Sequence, residues 1–191
     1  MNTVMAIQKV ADEVVIEKLM EIFRSVGYDG ASMTELAAAT GVKKGSLYHR
    51  YPGGKQAMAY AVLDHIADLN NSAMIKVFFS SEPADDRLSM ALRSIYDFYD
   101  GGKLACVLRA LSHGADAGLF RNQIAAIFQN CVNGFMHLAA DFGHDMNTSI
   151  RLAESTMTRI QGSLILAQTF QKPDLFQATL NEVRVEFHKR I

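Results

Sequence analysis

The sequence has few of the residues that interrupt helices. Its 191 residues include 3 Pro and 13 Gly, there is no Trp, and 49% of the residues are apolar. A β fold with many turns needs frequent Gly and Pro, so their scarcity favours long helices. The length allows one or two domains with enough apolar residues to bury a core.

Long apolar runs and an excess of one charge are also missing. No apolar run reaches the length of a membrane-spanning helix, which is about 20 residues. The first residues, MNTVMAI, lack the charged and then apolar layout of a secretory signal. The 19 Lys and Arg residues against 20 Asp and Glu give a net charge of −1. The chain as a whole is therefore not a general binder of polyanions.

Cysteine is rare: Cys106 and Cys131 are the 2 in the chain. Both lie in apolar, helical-looking sequence, where free thiols usually behave as small buried hydrophobic side chains. We therefore predict a cytoplasmic protein without a structural disulfide. A redox switch through the two thiols is the alternative.

Patterns of catalytic or metal-binding residues are missing as well. His65 with Asp68, and His113 with Asp116, are spaced as helical neighbours, but neither pair has a third ligand at metal spacing. The sequence has no GxSxG, no P-loop and no HExxH motif. We therefore predict no catalytic residue, no metal and no cofactor, and an enzyme on an all-α scaffold is the weakest hypothesis.

The most informative segment is SMTELAAATGVKKGSLYHRYPGGK, from Ser32 to Lys55. Ser32 and Glu35 have the spacing of a capping box, which predicts a helix beginning at this point. Gly41 then ends that helix, because glycine adopts a positive φ at little steric cost. Val42 can fill the corner before a second helix. The pattern predicts a helix–turn–helix.

The second helix of this segment, KKGSLYHRY, gathers positive charge and polar groups. Its apolar side should be anchored by Leu47 and Tyr51, which are four residues apart. The opposite side would then present cationic, hydroxyl and imidazole groups, which bind phosphates and read base edges in DNA. The turn PGGK that follows places a lysine at a helix start, where phosphate binds readily. The less specific interpretation is a common two-helix corner with solvated lysines.

These residues resemble a known family. VVIEKLMEIFRSVGYDGAS and LAAATGVKKGSLYHRYPGGK resemble the first helix and the helix–turn–helix of the TetR family of bacterial transcriptional regulators. The long turn PGGK resembles the LmrA/YxaF-like branch. The resemblance implies an all-α protein of about nine helices. It would have a helix–turn–helix domain over 1–53 and a helical effector-binding and dimerisation domain over 54–191.

The resemblance, with the outward side of the second helix, identifies the residues expected to face double-stranded DNA. They are Ser32, Thr34, Lys43, Lys44, Gly45, Ser46, Tyr48, His49 and Lys55. We expect Tyr48 and Lys55 to touch phosphates, and Lys44 and His49 to reach base edges.

Beyond Tyr60 the sequence predicts further helices. Breaks are expected at Ser80–Pro83 and Asp100–Gly102, and in the loop HDMNTS, where Asn147, Thr148 or Ser149 can cap the next helix. By resemblance, the last two helices form a four-helix bundle across the two-fold axis of a homodimer. The interface residues expected on them are Ile160, Gly162, Ser163, Leu164, Leu166, Ala167, Phe170, Leu175, Phe176, Leu180, Val183 and Phe187. The alternative is that this surface closes the core of a monomer.

The middle helices are rich in aromatic residues and Met, which line adaptable pockets well. We predict an apolar cavity for a small apolar or aromatic effector, although such residues also pack solid cores. The residues expected around the effector are Phe78, Phe98, Tyr99, Leu108, Arg109, His113, Phe128, Cys131 and Phe135. The leading hypothesis is a dimeric repressor released from a palindromic operator by this effector. A helical small-molecule binding protein without a DNA role is the alternative.

Overall fold

The computed structural model describes residues 11–189. The start MNTVMAI and the first part of the predicted 1–53 domain lie outside the described residues. Over 11–189 the chain forms nine α-helices and no strand, which confirms the all-α prediction. No helix in this range is long and apolar enough to cross a membrane.

The helices follow one another with short connections. The first three are α1 (Asp12–Gly30), α2 (Met33–Thr40) and α3 (Lys44–Arg50). Next comes α4 (Gly54–Asn70), which continues through a π-helical turn (Asn71–Ile75) into a last α-helical piece (Lys76–Phe78). The remaining helices are α5 (Ala84–Phe98), α6 (Val107–Leu111), α7 (Arg121–Asp141), α8 (Met146–Thr169) and α9 (Asp174–His188). Single 3₁₀ turns lie at Asp100–Gly102 and Ala117–Leu119.

The predicted helix–turn–helix is present, with the predicted signals at its ends. The Ser32 N–H donates to Glu35 Oε2 at 2.9 Å, and Ser32 Oγ accepts from the Glu35 N–H at 3.2 Å. Gly41 ends α2 in the left-handed region, at φ 66°. Leu36 and Leu47, one from each helix, are fully buried. Local sequence therefore sets the helix ends, and the apolar contact between α2 and α3 fixes their angle.

Helix α4 connects the N-terminal helices to the rest of the molecule. It begins within the turn PGGK, at Gly54, which has φ 62°, and it buries Met58, Val62 and Ile66 along one face. Helical structure is thus continuous over 54–78, with a π-helical turn that the sequence pattern did not indicate. Such turns often occur at functional sites.

The C-terminal helices share a core rich in phenylalanine. The rings of Phe78 and Phe135 lie 4.9 Å apart, and Phe187 packs 6.1 Å from Phe135 and 5.7 Å from Phe142. Long α7 packs against α8, and α8 packs against α9. Apolar residues on several sides of α7 therefore meet several partners, as their distribution predicts.

The cap of α8 corrects one sequence prediction. Asp145, not Asn147, Thr148 or Ser149, is the N-cap residue, and its Oδ1 accepts from the Thr148 N–H at 3.1 Å. Asp145 has the extended backbone (φ −65°, ψ 164°) that an N-cap requires, whereas the next residues are already helical.

Candidate functional site

Helix α3 presents a polar face opposite one buried anchor. Leu47 is fully buried, whereas the residues predicted to face DNA lie outside the core. The exposed ones on and next to α3 are Lys43, Lys44, Gly45, Ser46, Tyr48 and His49. Their exposure is what insertion into a groove requires, because each can approach a ligand without opening the core.

The four basic residues of this segment have different surroundings. Arg50 lies 3.1 Å from Asp12 of α1. The Lys55 ammonium donates to the Tyr28 carbonyl at 2.9 Å and lies 4.3 Å from the centre of the Tyr28 ring. Lys43 and Lys44 are exposed and make no ion pair with residues 11–189. The positive charge most accessible to a polyanion is therefore that of Lys43 and Lys44.

Ser32 and Thr34 lie exposed at the start of α2. Ser32 Oγ accepts from the Glu35 N–H, and the Ser32 N–H donates to the Glu35 carboxyl. Hydrogen bonds from the Ser32 N–H, which contributes most, and from its hydroxyl lower the pKa of the Glu35 carboxyl, so this acid stays ionised in the cap. The exposed Thr34 hydroxyl is therefore the donor that the helix start can offer beside the face of α3.

An aromatic and polar joint connects the N-terminal helices to the segment before α7. The Phe120 ring meets the rings of Tyr28 and Tyr60 at 4.9 and 5.2 Å. The Tyr60 hydroxyl donates to the Leu119 carbonyl at 2.8 Å, and the Ala115 N–H donates to Asp29 Oδ2 at 2.9 Å. The end of α1, which holds Lys55 through Tyr28, is thus fixed to the C-terminal helices.

A cavity of about 150 Å³ lies between α4, α5, α6, α7 and α8. Its apolar lining residues are Ile66, Leu69, Ala73, Met74, Ile95, Phe98, Leu108, Ile127, Phe128, Met157 and Ile160, and its polar ones are Asn70, Ser94, Tyr99, Cys131 and Gln161. Of the predicted effector residues, those that line it are Phe98, Tyr99, Leu108, Phe128 and Cys131.

The other predicted effector residues lie elsewhere. Phe78 and Phe135 are fully buried against each other in the core, and no part of the cavity wall comes from them. Arg109 and His113 are exposed, with His113 Nδ1 2.6 Å from the Arg109 carbonyl. Arg109 lies on the solvent side of α6 and His113 follows the helix, whereas Leu108 lines the cavity.

The sequence interpretation missed much of the cavity wall. Asn70 and Ala73 come from the end of α4 and its π-helical turn, and Met157 and Gln161 come from α8. A polar Asn within an apolar helical stripe was a usable signal for the first group. Gln161 carried no such signal, because polar residues are frequent on both sides of α8.

Polar side chains of the cavity are paired with one another. The Gln161 amide donates to the Tyr99 hydroxyl at 3.3 Å, the Tyr99 hydroxyl donates to Cys106 Sγ at 3.5 Å, and the Cys131 thiol donates to Asn70 Oδ1 at 3.4 Å. Burial raises the pKa of the Cys131 thiol to about 11 and raises the pKa of the Tyr99 hydroxyl. Both groups are neutral at physiological pH, so the wall carries no charge.

The last two helices bury most of the predicted dimer residues inside the monomer. The buried ones are Ile160, Ser163, Leu164, Ala167, Phe176, Leu180, Val183 and Phe187. Phe170, by contrast, is 57% exposed, Leu166 48% and Leu175 37%. Most of the residues predicted for the dimer interface therefore pack the core of the monomer. The sequence does not distinguish them from the interface residues, because both helices carry apolar residues on more than one face. A second apolar face points outwards.

Within residues 11–189, no group of three or more His, Cys, Asp or Glu side chains is arranged to hold a metal ion. His65 and Asp68, considered as a pair from sequence, take part in no such group. His137 lies 3.5 Å from Asp141 and stacks on Phe79, an arrangement typical of a surface contact.

Comparison with known proteins agrees with this architecture. Residues 15–62 match the family described as bacterial regulatory proteins, tetR family. No curated relative matches the chain by sequence. A TetR transcriptional regulator from Legionella pneumophila has a similar structure, with a TM-score of 0.75, 18% identity, and coverage of 90% of this chain and 94% of that one.

Two further structures have the same fold. The regulatory protein TetR from Rhodobacter sphaeroides gives a TM-score of 0.74 at 20% identity, covering 93% of this chain and 98% of that one. The TetR family regulator CifR was solved as a cysteine mutant complexed with a 26-base-pair double-strand operator DNA. Its structure gives a TM-score of 0.73 at 18% identity, covering 92% of this chain and 95% of that one. The family match covers the N-terminal helices, and the structural likeness shows that the whole described chain shares the fold of these proteins.

Proposed function

We propose that this chain, whose N-terminal helices match the tetR family, is a ligand-responsive repressor. It binds a palindromic operator as a homodimer and releases it when a small apolar or aromatic effector fills the cavity. Residues 1–53 form the DNA-binding domain and 54–191 the effector and dimerisation domain. The long PGGK turn supports placement in the LmrA/YxaF-like branch.

The observation that carries this proposal is the polar face of α3. Lys44, Tyr48 and His49 are exposed opposite the fully buried Leu47, and α3 follows a capped helix and a glycine turn. A helix held in this way can enter the major groove, where its N-terminal residues reach base edges. Lys43 and Lys44 supply the positive charge that phosphate contact needs.

A single α3 reaches only a few base pairs, so the proposal includes a two-fold dimer. Two such helices related by a two-fold axis should lie about 34–36 Å apart, or a multiple of that, to match successive turns of a palindrome. The outward apolar face of α8 and α9 is suited to the dimer contact. It comprises Ile165, Leu166, Phe170, Leu175 and Val185, and the exposed Gly162 allows the helices to approach closely.

Helix α4 offers the route from cavity to DNA. Gly54 starts it next to α3, and Asn70 and Met74 near its end line the cavity. The dimer would have two states, one with the two α3 helices spaced to fit the operator and one with a different spacing. A ligand that binds the second state more tightly lowers DNA affinity, and the ratio of its affinities for the two states sets the size of the effect. Helix α4 can transmit the change in spacing because it lies next to α3 at one end and lines the cavity at the other.

The test is selection of bound sequences from random duplex DNA by the full chain. We expect a palindromic consensus, and binding should weaken as salt rises. Replacing Lys44, Tyr48 and Lys43 together by Ala should abolish this binding. Lys172→Ala, which removes an exposed charge next to α9, is the matched control and should bind normally.

Salt dependence gives a second measurement on the same variants. Each lost lysine–phosphate contact should reduce the slope of log affinity against log salt by about one unit. Unchanged duplex binding by the triple variant would contradict the proposal. Together with retained small-molecule binding, that result would favour the helical binding protein without a DNA role.

A further inference from the structure

We propose that the cavity selects an uncharged, single-ring molecule that carries one hydroxyl or carbonyl group. The regulatory meaning of this inference rests on the proposed function, because it names the chemistry of the effector. The inference about binding itself depends only on the size, charge and polar groups of the cavity.

The enclosed volume holds about one ring. The cavity measures about 150 Å³. An engineered apolar cavity of about this volume in another protein binds benzene. A larger polycyclic or long-chain ligand would displace Phe98, Ile127 or other wall residues that are packed against the core, or would extend into solvent through the open side of the cavity. A compact aromatic or alicyclic molecule fits without this displacement.

The wall excludes charge. None of its side chains is an acid, a lysine, an arginine or a histidine. Cys131 and Tyr99, the ionisable groups present, are kept neutral by burial, which raises the pKa of each. A carboxylate or ammonium placed here would lose its water without gaining a counter-ion, which is strongly unfavourable. The Arg24 guanidinium lies over the ring of the wall residue Phe98 and is not itself part of the wall.

The polar groups of the wall form two pairs with spare hydrogen-bonding capacity. Cys131 uses one side of the Asn70 amide, and Tyr99 uses one side of the Gln161 amide. Tyr99 and Cys131 both line the cavity, so the two pairs open onto the same space. Each amide retains a donor or an acceptor, because an amide offers both.

A ligand hydroxyl or carbonyl can use these groups, whereas a plain hydrocarbon cannot. Asn70 and Gln161 are half-buried and line an apolar space, so a polar substituent that pairs with their remaining groups should add affinity and set the orientation of the ring. The apolar residues that form most of the wall, among them Ile66 and Leu108, would enclose the ring. One polar substituent on an apolar body is therefore the ligand that satisfies the whole cavity.

The experiment compares four probes of the same size on the full chain: benzyl alcohol, toluene, benzoate and benzylamine. Affinity is measured by calorimetry and by ligand-observed NMR at pH 7. Benzyl alcohol should bind at least about tenfold more tightly than benzoate or protonated benzylamine, because neither charge finds a partner. Equal or tighter binding of either charged probe, or no binding of any probe, would overturn the inference.

Two variants locate the binding. Asn70→Leu and Gln161→Met keep the approximate side-chain volume and remove the amides. Each should weaken benzyl alcohol about tenfold or less while leaving toluene unaffected or slightly tighter. If a variant bound benzyl alcohol and toluene equally weakly, the amide would only support the fold. The inference that the amides bind the polar group of the ligand would then fail.

A filled cavity provides the complementary control. Ile127→Phe should abolish binding of both neutral probes, and thermal unfolding should confirm that this variant folds. If Ile127→Phe does not fold, Leu108→Met is measured instead. This substitution keeps the approximate side-chain volume, so the variant should still bind both benzyl alcohol and toluene. Duplex binding is measured in parallel. Probe binding without any DNA binding would sustain the cavity inference while refuting the proposed repressor function.

Discussion

The Arg24 guanidinium lies 5.8 Å from the centre of the Phe98 ring, which joins the N-terminal helices to the cavity wall. Arg24 belongs to α1, and Phe98 is the last residue of α5. Burial lowers the pKa of Arg24, and its Nε is buried without a hydrogen-bond partner in the part of the chain described. The guanidinium is therefore held at this joint largely by the aromatic ring and by packing.

This contact should be measurable as a coupling free energy. In a double-mutant cycle with Arg24→Met and Phe98→Leu, we expect a coupling of about 0.5–2 kcal/mol in the free energy of unfolding. The two substitutions should not add, because each removes the same contact. Urea denaturation of the four proteins measures it.

The control for this cycle is Arg93 over Tyr96, at 5.7 Å from the ring centre. Arg93 is exposed, so water screens its interaction with the ring, and we expect a smaller coupling there. If the Arg24 cycle gives no more coupling than the Arg93 cycle, the buried contact does not join the two regions.

A second prediction concerns Lys55, which the structure places in two roles. Its ammonium donates to the Tyr28 carbonyl and lies over the Tyr28 ring, so Lys55→Ala should lower the free energy of unfolding by about 1–2 kcal/mol. It should also weaken binding to all duplex sequences. Chemical denaturation and fluorescence anisotropy measure the two effects separately.

Lys44→Ala is the matched comparison, because Lys44 is exposed and has no ion pair among residues 11–189. It should weaken DNA binding and leave stability unchanged within about 0.5 kcal/mol. A Lys55→Ala protein of normal stability would show that the contact with Tyr28 contributes nothing to the fold. Normal DNA affinity in the same protein would remove Lys55 from the proposed DNA-binding residues.

Local signals allowed the N-terminal helices to be predicted from sequence. The Ser32–Glu35 capping box, Gly41 and Leu47 each depend on residues a few positions apart, and the structure contains all three features. Helix ends are set by such short-range chemistry, which is why a sequence pattern can locate them.

The cavity and the outward face of α8 could not be predicted in the same way. Phe78 and Phe98 are both aromatic residues at helix ends, yet only Phe98 lines the cavity. Likewise Leu164 is 2% exposed and Leu166 is 48% exposed on the same helix. Which apolar side of a helix faces a neighbour depends on tertiary packing, and composition alone does not contain that information.

A third prediction follows from the outward face. Leu166→Glu and Phe170→Glu should each convert a dimer into a monomer at micromolar concentration, because a charge in the centre of an apolar interface loses its hydration. Both residues are exposed in the monomer, so the variants should still fold. Analytical ultracentrifugation and circular dichroism measure association and folding.

Val14→Glu provides the control, since Val14 is 44% exposed on α1, away from α8 and α9. It should remain dimeric. A protein that is monomeric before any substitution would exclude the dimer altogether, and one that stays dimeric with Glu at both positions would place the contact on another surface.

The last prediction concerns the dependence of stability on pH. Burial raises the pKa of the Cys131 thiol from 9.0 to about 11 in the folded protein. Between these pH values the unfolded chain has released the thiol proton and the folded chain retains it. Since the unfolded state then binds fewer protons, the free energy of unfolding must fall as pH rises. Below about pH 9 this contribution is fully present.

Cys131→Ala should remove this part of the alkaline loss of stability, which amounts to about 2 kcal/mol between pH 8 and pH 10.5 for a shift of this size. The measurement is urea denaturation at pH 8 and at about pH 10.5, with Cys106→Ala as the comparison, since that variant also loses a buried thiol but retains Cys131. Cys131→Ala is expected to be less stable at pH 8, where it loses packing, but to lose less on going to high pH. An alkaline loss identical to that of Cys106→Ala would mean that Cys131 ionises as readily in the folded protein as in the unfolded chain, and the wall of the cavity would then not stay neutral at high pH.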